Sequence, residues 1–121
     1  WPQLEAAIGR HAPTLVLMFG VAASRAELQS EQVARNWCGG GADALGACHP
    51  VGPLVPGAPA TLPTRLALPC ASSDDAGDYV CNATFFQALH HTRLPVAFVH
   101  IPPDGVDAAE ALIMDLADTR R

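Results

Sequence analysis

The sequence predicts an α/β domain, a three-layer α/β/α arrangement around a largely parallel sheet. Two observations carry this: amphipathic helical segments alternate with short apolar runs, and those runs read as buried strands. The chain has 121 residues, half of them hydrophobic, which suffices for one domain with a single core.

Leu4, Ala7 and Ile8 fall at helical spacing within residues 3 to 10. Pro13 then precedes the apolar run from Thr14 to Phe19, which Gly20 ends, so a helix feeds a buried strand. In residues 24 to 36, Ala26 and Leu28 alternate as a strand would, and one strand is expected around 26 to 34. From Cys38 to Pro69 the chain is rich in Gly, Pro and Ala, including Gly39-Gly40-Gly41, and regular structure should be sparse there. A connection this long inside a small domain is often functional.

A helix is expected over 74 to 91, capped by Ser73 or Asp74, with Val80, Thr84, Phe85, Ala88 and Leu89 on its apolar side. Pro95 opens the run Val96-Ala97-Phe98-Val99-His100-Ile101, read as a buried strand with an imidazole near its end. A last amphipathic helix runs from Asp104 or Val106 to about Thr119, with Ala109, Leu112, Ile113 and Leu116 facing inward. Largely parallel sheets carry their sites at the carboxyl ends of strands.

Net charge is −5, and all seven basic residues are Arg, scattered except for Arg120-Arg121. That pattern argues against a nucleic-acid or acidic-membrane surface, and the lack of Lys removes Schiff-base chemistry. No apolar stretch approaches the roughly 18 to 20 residues that span a bilayer. Cys38, Cys48, Cys70 and Cys81 are irregularly spaced, as expected of reduced thiols in the cytoplasm rather than a disulfide framework. The pairs His90-His91 and Cys48-His49 lack the separated spacing of zinc ligands, so no metal is expected. Gly20 lacks the further glycines of a dinucleotide turn.

The chemistry concentrates on three residues. Cys81 lies near the start of the expected helix, where partial positive charge favours a nucleophilic thiolate. His100 can supply a base, and Glu31 a carboxylate that fixes the tautomer of the imidazole. Alone, each has a bland reading: a buried small thiol, a satisfied core histidine, a solvated surface charge.

Ala76-Gly77-Asp78-Tyr79-Val80-Cys81-Asn82, Phe98-Val99-His100-Ile101-Pro102, and Glu31 with Val33, Ala34 and Asn36 together resemble, in order, motifs of the pyroglutamyl peptidase I (pyrrolidone-carboxylate peptidase) family. The resemblance runs from about Ala6 to Leu116 and implies a single domain over 1–121, equivalent to the C-terminal two-thirds of a fold whose sheet would be incomplete at the N-terminus. It implies a cysteine peptidase that removes N-terminal pyroglutamate from peptides: Cys81 attacks, His100 moves the proton, Glu31 orients His100, and no cofactor takes part. Homo-oligomers are common in the resembled family, and the apolar content suits self-association. Val21 stands where the family has Gln, and Gly41 where many members have Arg. The alternatives are a truncated or divergent homologue without turnover and a cysteine amidase for another small amide.

Overall fold

The computed structural model describes residues 1–40 and 51–119; Gly41, Cys48, His49, Arg120 and Arg121 lie outside the described residues. In chain order the elements are α1 (Pro2–His11), β1 (Val16–Val21), β2 (Gln29–Glu31), β3 (Val33–Arg35), β4 (Thr61–Pro63), β5 (Ala71–Ser73), α2 (Val80–His91), β6 (Val96–Ile101) and α3 (Val106–Thr119).

All six residues of β6 are buried, as its unbroken apolar run requires of a strand covered on both faces. The main sheet has the order β1-β6-β2-β5. β1 runs parallel to β6 from Val16 opposite Val96 to Val21 opposite Ile101. β2 runs antiparallel to β6, with Gln29 opposite His100, and β5 runs parallel to β2, with Glu31 opposite Ser73. A second, two-stranded antiparallel sheet joins β3 to β4.

Side chains alternate across the pleat, so the even-numbered residues of β1 and β6 face one layer and the odd-numbered ones the other. Val16, Val96 and Phe98 pack with Phe85, Phe86 and Leu89 of α2, and Leu4 and Ile8 of α1 join that cluster. Val99 and Ile101 pack instead with Ala109 and Leu112 of α3. The sheet is thereby sandwiched between α1 and α2 on one side and α3 on the other, the expected α/β/α layering. His100 follows Val96 and Phe98 onto the α2 side.

α2 is fastened at both ends. The fully buried Asn82 accepts the Arg35 N–H at 2.8 Å and donates to the Arg35 and Trp37 carbonyls at 2.9 and 3.3 Å. At the other end Arg65 donates to the carbonyls of Leu89, Thr92 and Leu94 at 2.8, 2.9 and 2.9 Å, satisfying groups that the end of a helix leaves unpaired.

Several sequence-based expectations are corrected. α2 begins at Val80 with Tyr79 as its N-cap and no side-chain cap, not at 74. Ser73 and Asp75 build a turn instead: Ser73 Oγ accepts the Asp75 N–H, Asp75 Oδ1 accepts the Gly77 N–H, and Gly77 turns the chain at φ 83°. Val80 and Thr84 are only half-buried, whereas Asn82, Ala83 and Phe86 are buried. The single strand over 26 to 34 is two short strands belonging to different sheets. Within the Gly/Pro-rich segment, β4 and a bridge between Cys38 and Gly52 are regular structure that composition hid. Ile113 is 44% exposed rather than inward-facing. Among the described residues no helix is long and apolar enough to cross a membrane.

Phe85 has no exposed surface, so Phe85→Ala should lower unfolding free energy by about 3–5 kcal/mol, whereas Ile113→Ala should cost less than about 1 kcal/mol. Urea titration of both variants checks this; equal losses would contradict the assignment of the core.

Candidate active site

Glu31, Cys81 and His100, separated by up to 69 positions, meet on the α2 face of the main sheet. His100 enters from β6, Glu31 from the adjacent β2, and Cys81 from the second position of α2. His100 Nδ1 lies 3.1 Å from Glu31 Oε1, with Glu31 fully buried and His100 7% exposed. Cys81 interacts with the His100 ring, and more strongly than Glu31 does. With Nδ1 engaged by Glu31, Nε2 is the nitrogen left for sulfur. The contacts with Cys81 first and Glu31 second push His100 up from 6.5 to about 9, against the downward effect of burial.

Gly20 makes room for the sulfur. It lies opposite His100 in the β1–β6 register, and a Cβ there would sit 2.9 Å from both Cys81 Sγ and the Phe98 ring. The ring of Phe98 in turn packs against His100, with centroids 5.0 Å apart. Cys81, half-buried, borders a depression of about 370 Å³ lined by Leu4, Met18, Phe19, Val80, Thr84 and Phe98. Such a surface takes an apolar or weakly polar group beside the thiol. Val21, 67% exposed, is not among the residues lining it.

Sequence reasoning missed two residues that hold the carboxylate. Ser73, the register partner of Glu31, donates its hydroxyl to Glu31 Oε2 at 2.9 Å. Arg25 places Nη2 3.3 Å from Glu31 Oε1, and also bonds the Gln29 side chain and the Asp75 carbonyl. Glu31 is therefore no solvated surface charge. The available signals were slight: Ser73 stands three residues before the Ala76-Gly77 pair, and Arg25 follows closely on Gly20.

Cys38, Cys70 and Cys81 are free thiols. Cys70 is half-buried on the approach to β5, and desolvation first, with the Glu27 charge adding to it, raises its pKa. Among the described residues no three His, Cys, Asp or Glu side chains converge as metal ligands. A thiol beside an imidazole whose other nitrogen meets a buried carboxylate can perform nucleophilic acyl transfer.

The pyroglutamyl peptidase family model matches residues 2–110. Pyrrolidone-carboxylate peptidase from Gloeobacter violaceus is 36% identical, the match covering 98% of this chain and 67% of the relative. The enzyme of that name from Vibrio vulnificus is 34% identical over 91% of this chain and 60% of its own length. The crystal structure of pyrrolidone carboxyl peptidase from Thermus thermophilus superposes with a TM-score of 0.73 at 30% identity, covering 90% of this chain and 65% of that one. The chain thus spans 60–67% of the length of these curated relatives. Motifs, layering and match over residues 2–110 agree: the chain belongs to the pyroglutamyl peptidase family.

Proposed function

We propose that residues 1–121 form one α/β domain, equivalent to the C-terminal two-thirds of the family fold, carrying the catalytic groups of a cysteine peptidase that removes N-terminal pyroglutamate from peptides. The observation that carries this reading is the contact chain Cys81–His100–Glu31 on one sheet face. The thiolate of Cys81 attacks the carbonyl carbon of the pyroglutamyl residue, and the C=O electrons move onto oxygen. Collapse of that tetrahedral species breaks the C–N bond as the His100 imidazolium gives its proton to the leaving amine. The thioester then takes up water, whose proton passes to His100 while hydroxide attacks, and free pyroglutamate departs with the thiolate restored. Glu31, as acceptor at Nδ1, keeps Nε2 directed at these transfers.

The apolar depression beside Cys81 supports a compact lactam ring as the acyl group. Three free thiols among the described residues suit a reducing compartment, and the proposed location is the cytoplasm. A pyroglutamyl peptide is the proposed partner, and self-association the proposed assembly.

On a chromogenic pyroglutamyl amide, Cys81→Ala should cut amine release by at least about a thousand-fold while circular dichroism stays unchanged. Turnover surviving in Cys81→Ala refutes the reading. Cleavage of other aminoacyl amides in preference makes the protein a cysteine amidase of different specificity, and inactivity on every amide makes it a non-catalytic homologue.

With His100 near 9, the general acid is charged at neutral pH, so kcat/KM should fall on the alkaline side as the ring loses its proton around that value. Glu31→Gln removes one raising contact and should move this limb to lower pH, which pH–rate profiles and NMR titration of the imidazole both read. Because the folded value exceeds 6.5, the Glu31 contact contributes stability that is complete below pH 6.5 and lost as the pH rises through about 9. The gap in urea midpoint between the unaltered protein and Glu31→Gln should therefore narrow as the pH rises through about 9, without closing, because Arg25 and Ser73 still bond the carboxylate.

A further inference from the structure

We propose that Arg25 and Ser73 are positioning residues that keep Glu31 ionised, and fixed as an acceptor for His100, during the half of the cycle in which His100 is neutral. This rests on the cysteine-peptidase reading above.

The carboxylate is fully buried, and both its oxygens are engaged: Oε1 by His100 Nδ1 at 3.1 Å and Arg25 Nη2 at 3.3 Å, Oε2 by the Ser73 hydroxyl at 2.9 Å. If His100 were the only cation, each proton delivered to a leaving amine would strand a buried anion. Such a group is left without a counter-charge and takes up a proton instead. A protonated Glu31 would donate to Nδ1 rather than accept from it. The neutral ring would then carry its hydrogen on Nε2, and could not accept a proton from water in the hydrolytic half.

Arg25 removes that hazard because a guanidinium stays charged throughout the working range. Its place is set by other bonds, to the Gln29 side chain and to the Asp75 carbonyl at 2.9 Å, and its side chain is 19% exposed. Ser73 Oγ accepts the Asp75 N–H at 3.2 Å, which leaves its proton for Glu31. Arg25 and Ser73 both also reach Asp75, in the loop leading to α2, so the carboxylate and the nucleophile segment are tied to the same two side chains.

The titratable groups around Glu31 come from every neighbouring element. His100 lies on β6, Cys81 on α2 acts through His100, and Arg25 lies in the turn after β1. Asp75, beyond β5, directs its carboxylate to the Gly77 N–H and to Arg35 at 3.7 Å, away from the cluster.

The test is ¹³C-glutamate NMR of His100→Gln, which keeps position 100 uncharged and needs no peptide substrate. The Glu31 carboxyl should keep its ionised shift from about pH 5.5 to about pH 8, held by Arg25 and Ser73, and a protonation step in that window overturns the proposal. Adding Arg25→Gln should bring a protonation step into the window, whereas adding Arg25→Lys should not; a carboxyl that stays ionised in the Arg25→Gln double variant means Arg25 only packs, and also overturns the proposal. If that double variant does not fold, His100→Gln alone decides. An Arg25-dependent ionised carboxyl without pyroglutamyl hydrolysis by the unaltered protein defeats the peptidase reading but not this one; hydrolysis with a protonation step in His100→Gln does the reverse.

Discussion

A carboxylate with no solvent exposure dictates much of this architecture, because a buried anion survives only if donors surround it. The donors at Glu31 come from three different elements: the turn after β1, strand β5 and strand β6. Strand order is what makes this feasible. β2 sits between β6 and β5, so one side chain on β2 can be reached from both neighbours. The antiparallel run of β2 against β6 sets Gln29 opposite His100, and Glu31, two residues on, shares that face of the sheet. The mixed sheet, often a detail of classification, is here the device that delivers acid and imidazole to one face.

On the far side of His100 the constraint is space rather than charge. The imidazole and Phe98 fill the α2 face of β6, and the sulfur of Cys81 fits only because the facing position of β1 has no side chain. Gly20, which ends an apolar run in the sequence, therefore matters through its missing methyl group. The same absence leaves Met18, Phe19 and Phe98 to form the wall of the depression beside the thiol.

Much of this was legible from residues alone. The unbroken apolar run before Ile101 marked a central strand, and the alternation of helices with such runs marked the layers. The three reactive residues were named from their motifs. The start of α2 was not legible, because Ser73 and the aspartates after it look like caps while folding uses them in a turn and on Glu31. β4 and β5 have three residues each, too few to show a period, and only pairing defines them. Arg25 and Ser73 were missed for the same reason. Ser73 reaches Glu31 through a register 42 residues apart that no local pattern encodes, and Arg25 reaches it from a turn whose course the sequence does not show.

The double fastening of α2 has a further consequence for the order in which the molecule comes apart. Asn82 ties its first turn to backbone groups of β3 and beyond, and Arg65 ties its last turn to the chain running into β6. Neither end is free to fray. With both ends tied, the helix bearing the thiol should open together with the core it packs on rather than from its ends.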